Sequence, residues 1–272
     1  MRAFGLCLLL LVTACAVHKE VQSSPAVTNP YQARAEALAR SGVDALGRGK
    51  WSAAQMLFGK SLQAATLADD ERMISLAWYN LGRARAGGGD ASGARSAYQQ
   101  SMRQAGKAHD RVSFRRAGLA LALMDQARTS DSSGQEKVPV EDLLDVPDSF
   151  PVDIHLAAAR LAWLRGKPEL ARQAYGRVLV MAGPDRSGLI YAARAHLGLA
   201  RLSSGETGPD SAAAAHRHLD RAFELVHRAG EPQLMLQALN LAADMEADPA
   251  RRQQWLQRAE ALRRALKEAH AE

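Results

Sequence analysis

Few side chains in this chain could do chemistry. Eight histidines are scattered through it. His216 and His218 flank one arginine, but residues two apart on a helix point in different directions and make poor joint metal ligands. His109, His155, His196 and His227 stand singly and read as surface or packing residues. The run Gly87-Gly88-Gly89-Asp90 raises the question of a phosphate cradle. A phosphate loop needs a strand before it and a lysine with a serine or threonine after it, and neither is here. Asp69-Asp70-Glu71 falls at an expected helix start, where carboxylates suit the helix dipole. Arg115-Arg116, Arg251-Arg252 and Arg263-Arg264 read as solvated faces. None of G-x-S-x-G, H-E-x-x-H or C-x-x-C occurs. The reading points away from an enzyme, and no cofactor, metal or small-molecule substrate is expected.

The elements that must position these residues are helices. Alanine, leucine and arginine are plentiful, while strand formers such as Val, Ile and Thr are sparse. At 272 residues the chain suits one large domain or a run of repeats. The net charge of +6 is modest, with signs mixed along the chain. There is no concentrated basic stripe, so no nucleic-acid partner is expected.

Self-similarity decides the architecture. Trp78, Leu81 and Gly82 are followed by Ala94, Tyr98 and Ser101, the spacing W-x2-L-G then A-x3-Y-x2-small. Small Gly82 and Ala94 let two helices approach, and Trp78, Leu81 and Tyr98 fill the space around the crossing. The glycine run then lies in the turn, with Asp90 as the cap of the second helix. Other copies follow. Leu38 and Gly42 pair with Ala54, Phe58 and Ser61; here Ser41 stands in place of the leucine. Phe114 and Gly118 mark another first helix. Ala171, Tyr175 and Val178 follow the turn RGKPE, and Leu197 and Gly198 precede Ala215, Leu219 and Ala222. Residues 232–268 read as a final, capping helix pair.

This pattern resembles the tetratricopeptide repeat, two antiparallel helices in about 34 residues. The resemblance implies an all-α fold, a right-handed superhelical solenoid of helix pairs. It covers an N-terminal array at 31–128 and a C-terminal array with capping helices at 151–268. Between them, 129–150 (TSDSSGQEKVPVEDLLDVPDSF) reads as an irregular insert, either a plain loop or a contact surface, in which only VEDLLDV could form a short helix.

The N-terminus suggests an address. Met1 and Arg2 precede an apolar run, Leu6 to Val12, too short to span a bilayer. It ends in Val12-Thr13-Ala14-Cys15, which resembles the bacterial lipobox. That resemblance implies a signal peptide at 1–14, a lipidated Cys15 and a polar tether to residue 30. In a Gram-negative host it implies the periplasmic face of the outer membrane, since Ala16 replaces the retention aspartate. Cys7 lies within the signal, so the mature chain would carry no disulfide.

In the repeat family the concave face is lined by the first helix of each pair and binds protein partners. Carried over residue by residue, its binding positions fall on Tyr79, Arg83, Arg115, Leu119, Leu156 and Arg160. An aromatic among arginines suits an acidic or carboxylate-ended segment. The family's carboxylate clamp has asparagine where Arg83 stands, so the clamp itself does not carry over. Three roles stay open at this point. One is a lipid-anchored adaptor for a pilus, secretion or polysaccharide-export machine. Another is a recruiter of a cell-wall hydrolase or protease. The last is a helical enzyme.

Overall fold

The computed structural model describes residues 29–126 and 140–271. Among them are twelve helices and no strand. They are α1 (Pro30–Gly47), α2 (Trp51–Leu67), α3 (Glu71–Gly87), α4 (Ala91–Lys107), α5 (Arg111–Gln126), α6 (Val140–Leu144), α7 (Val152–Leu164), α8 (Pro168–Met181), α9 (Arg186–Ser204), α10 (Ser211–Ala229), α11 (Pro232–Met245) and α12 (Pro249–Ala271). None of these is long and apolar enough to cross a membrane.

The first turns are copies of one another. Gly49, Asp69, Gly89 and His109 all take left-handed backbone, with φ of 71°, 51°, 86° and 51°. In each turn the next residue returns its N–H to a carbonyl five residues back: Lys50 to Ala45, Asp70 to Ala65, Asp90 to Arg85 and Asp110 to Ala105. This closes the preceding helix in the manner of a left-handed C-cap. Asp70, Asp90 and Asp110 then cap the following helices, accepting from the N–H of Met73, Gly93 and Ser113 at 3.0, 2.8 and 3.1 Å. The glycine run is therefore a turn: Gly89 supplies the positive φ, and Asp90 starts α4. Gly87 has a separate reason, since a Cβ there would stand 2.5 Å from the Trp51 ring. Helix starts recur every 20 residues, at Trp51, Glu71, Ala91 and Arg111. A pair thus spans 40 residues, longer than the family's usual unit.

The first two crossings are each made by a side chain seated on a glycine. A Cβ on Gly42 would meet Phe58 at 2.6 Å, and one on Gly82 would meet Tyr98 at 2.7 Å. The same two pairs share a buried hydroxyl link. Ser61 Oγ donates to the Ala35 carbonyl and Ser101 Oγ to that of Ser75, both at 2.9 Å. The two helices of a pair are thus held at van der Waals distance and tied by a satisfied polar bond.

Consecutive helices pack in order from α1 to α12, with α5 also touching α7 directly. The odd-numbered helices contact one another from pair to pair: α1 with α3, α3 with α5, α5 with α7, α7 with α9, and α9 with α11. The even-numbered helices make no comparable contacts. The spacing is therefore shorter on the odd side, and the stack curves with its odd helices inside.

The expected insert is partly core. Residues 129–139 lie outside the described residues. Residues 140–150 give α6 and a turn whose Leu143, Val146 and Phe150 are buried against Leu119, Ile154, Ala158 and Leu161. Leu143 takes the seat that an aromatic takes elsewhere, 3.0 Å from a Cβ placed on Gly118. So α6 is a shortened second helix, and one hydrophobic cluster runs from α5 into α7 where the sequence suggested a break.

Gly82→Ala is expected to cost about 1–3 kcal/mol, because the new methyl overlaps Tyr98. Gly59→Ala, where a Cβ meets nothing, is expected to add about 0.5–1 kcal/mol. Urea titration of both variants checks the pair.

Candidate functional site

The inner face carries a cluster of arginines and tyrosines drawn from α3, α5, α7 and α9. Tyr79 on α3 is half-buried, its ring 5.6 Å from that of Tyr98 and tilted by 45°. The Arg83 and Arg116 guanidinium carbons stand 5.9 and 5.8 Å from the Tyr79 ring centre. Each such contact contributes about 0.5–1 kcal/mol at an accessible site. Arg116 is fixed by Asp153 on α7 through two hydrogen bonds, Nε to Oδ2 at 2.7 Å and Nη2 to Oδ1 at 3.1 Å. Burial opposes the Arg116 charge, but the Asp153 bonds prevail and raise its pKa. Burial likewise pushes the Tyr79 hydroxyl up, against the pull of Arg83.

The curvature brings distant pairs together. Tyr79 on α3 and Tyr191 on α9 lie within electrostatic range of each other and of Asp153 on α7. Arg194 on α9 feels both Arg83 and Arg160. Arg160 and Arg194 are exposed, and Arg201 is half-buried. Burial lowers the pKa of Arg201, and the like charge of Arg160 adds to that shift.

The sequence-derived positions divide. Tyr79, Arg83 and Arg160 lie in this cluster, and Leu156 is half-buried one turn before Arg160, packed against the α7–α9 core. Arg115 and Leu119 do not belong to it. Leu119 is fully buried in the α5–α7 core. Arg115 points the same way, its guanidinium 5.5 Å from the Phe150 ring and bonded to the Asp145 carbonyl. The register failed because Gly118 is seated by Leu143 of the short α6. That leaves α7 packed on α5, and the open face rotates to Arg116. Gly198 shifts α9 similarly: a Cβ there would overlap the ring of Tyr175 from the preceding pair. Arg116, Asp153, Tyr191, Arg194 and Arg201 were therefore not found from the repeat register. Cys15 lies outside the described residues.

The histidines hold one surprise. His196 on α9 and His218 on α10 meet, Nδ1 to Nδ1 at 3.0 Å, with ring centres 5.2 Å apart. Burial, then His218 and Arg221, lower His196 to about 4. Burial and Arg217 lower His218 as well. His216 is exposed and takes no part. His155 is fully buried, with neither ring nitrogen hydrogen-bonded, and burial lowers its pKa. Among the described residues no three His, Cys, Asp or Glu side chains group as a metal site.

No protein-family model and no curated protein matches this chain.

The His196–His218 pair gives a pH signature. The folded pKa of His196 lies below the ordinary 6.5, so the folded chain binds fewer protons than the unfolded one between pH 6.5 and about 4. Stability falls as pH drops through that window and is unaffected by this group above it. The slope from His196 alone reaches at most about 1.4 kcal/mol per pH unit. His196→Gln is expected to flatten it, as read by urea unfolding across the window.

Proposed function

We propose that this chain is a lipid-anchored periplasmic scaffold of the tetratricopeptide-repeat type, a right-handed superhelix whose concave face holds a protein partner. It is proposed to sit on the periplasmic face of the outer membrane through Cys15 and to assist assembly of an envelope machine for a pilus, secretion or polysaccharide export. Its work is binding, with no catalytic step.

The observation that supports this is the inner face itself. Arg83, Arg116 and Arg194 gather around Tyr79 and Tyr191, and Arg160 and Arg201 adjoin them beside Tyr175, the five arginines rising from four inner helices. A curved stack presents such residues as one extended surface. Arginine and tyrosine are the residue types on which protein interfaces concentrate their binding energy. The lipobox-like Val12–Cys15 supports the anchor, and diacyl anchoring gives the stable membrane hold that a single chain does not.

Crosslinking and pulldown from host membranes tests the reading. The full-length protein is expected to capture one envelope protein, and a folded Tyr79→Ala, Arg83→Glu, Arg160→Glu variant is expected to lose it. Unchanged capture would move the working surface off the inner face. Separately, Cys15→Ser is expected to abolish palmitate labelling and release the chain from the membrane fraction. Retained labelling would remove the anchor from the proposal.

A further inference from the structure

We infer that His155 is a pH-sensitive latch: neutral, it lets α6 and the turn at 145–151 close over α7 and α8, and protonated, it drives that turn open while the other helix pairs stay shut. This goes beyond the scaffold reading and does not rest on it.

His155 stands out in the repeat itself. The first two helix pairs are each tied by a hydroxyl, Ser61 Oγ to the Ala35 carbonyl and Ser101 Oγ to that of Ser75. Val178 stands in the place of Ser101, since Ala171, Tyr175 and Val178 repeat the spacing of Ala94, Tyr98 and Ser101. His155 follows Ser75 by 80 residues, two pair lengths of 40. His155 and Val178 are both fully buried. This pair therefore has an imidazole where a serine sat and a valine where the tie came from. Valine offers no hydrogen bond, and neither His155 nitrogen has a partner. No other buried side-chain nitrogen or oxygen among the described residues is left so. An unsatisfied polar group costs stability wherever it is buried, so the closed state is already weakened at this point.

The cover over the ring is slight. It consists of α6, five residues long, and the turn at 145–151. Leu143, Val146 and Phe150 hold it by burial. Arg177 of α8 holds it from outside, with Nε 3.0 Å from Asp148 Oδ1 and Nη1 donating to the Val146 carbonyl at 3.4 Å. Asp148 is exposed, and an accessible ion pair of this kind contributes little.

Proton uptake sets these parts against each other. Burial holds the ring neutral and its pKa below the ordinary 6.5, and the Arg177 charge acts in the same direction. The groups that favour a protonated ring are Asp148 and the Pro147 and Phe150 carbonyls, all in the turn. In the closed state none of them bonds to it: Pro147 accepts from the Phe150 N–H at 3.0 Å, and Asp148 is held by Arg177. They become available only when the turn shifts. The other elements around α7 add apolar groups. From α5 come Leu119 and Ala122, and from α9 come Ala195 and Leu199. Glu141, Asp142 and Asp145 are exposed, and Asp153 on α7 itself is taken by Arg116.

The open form thus binds a proton that the closed form excludes. The closed form has its full stability above pH 6.5 and loses it as pH falls below that value. Until the closed form's own pKa is reached, the open form gains about tenfold in population per pH unit.

Hydrogen–deuterium exchange on the detergent-purified full-length protein at about pH 7.5 and about pH 5.5 tests this, with rates corrected for the intrinsic pH dependence of amide exchange. Protection of 140–151 is expected to fall about tenfold at the lower pH, while α2 and α4 hold within roughly twofold. His155→Leu, similar in volume and never charged, is expected to keep the turn protected at both pH values. The acid response of α9 and α10, which carry His196 and His218, is expected to persist in that variant, so the two histidine effects separate. His155→Gln, also uncharged throughout, serves the same comparison if the leucine variant does not fold. H155S/V178S rebuilds the hydroxyl tie of the second pair and is expected to remove the acid response as well. No acid loss in the wild type, an equal loss in the uncharged variants, or a loss spread evenly over α2, α4 and the turn would overturn the inference.

Discussion

The close seat of one side chain on a bare helix backbone is the constraint from which the rest of this molecule follows. Phe58 on Gly42, Tyr98 on Gly82, Leu143 on Gly118 and Tyr175 on Gly198 each occupy space that any Cβ would contest. The contact sets how near two helices come, and that distance sets the hydroxyl link between Ser101 and Ser75. Because the seat repeats, the helices stack in one direction. Because the odd helices also touch from pair to pair, the stack curves toward them. The arginine and tyrosine cluster is a product of that curvature, since α3 and α9 are far apart in sequence.

The seat also decides which residues are free to bind. Where the glycine is covered by its own pair's long second helix, as in α3, the next residue faces the groove, and Arg83 is there. Where it is covered by a short helix or by the preceding pair, the inner helix turns. Arg115 and Leu119 then go to the core side, and Arg116 and Arg194 come to the open one. The electrostatics follow. Arg116 finds Asp153 and becomes part of the fold, while Arg160, Arg194 and Arg201 find no partner within it.

Much of this was legible in the residues. Gly82, Ala94 and Tyr98 announce a helix pair because only small residues permit the approach and only a ring fills it. Gly89-Asp90 announces the turn because a left-handed residue and a cap have strong chemical preferences. Other features left no such mark. Asp69 and His109 take the same left-handed backbone without being glycine, forced by the turn that their neighbours close. The role of Leu143 was hidden because a leucine in a polar segment does not advertise a seat. His218 was read with His216, and His196 singly, because a long, irregular turn separates His196 from His218 and only the packed α9–α10 interface brings their rings together. Face assignment failed in α5 for a related reason: a repeat register assumes equal neighbours, and α6 is not equal to α2 or α4.

The shortness of α6 has a mechanical meaning. Elsewhere on its outer side the stack is braced by second helices of about four to six turns, but between α5 and α7 the brace is five residues long. The load there passes through the inner helices, since α5 and α7 pack on each other directly. Tyr79 and Arg83 are mounted on one side of that joint, and Tyr191, Arg194 and Arg201 on the other. The Arg116–Asp153 pair spans it on the inner face as a strap. The two halves of the inner face are thus joined through a single hydrophobic cluster and one ion pair, with almost no outer brace behind them.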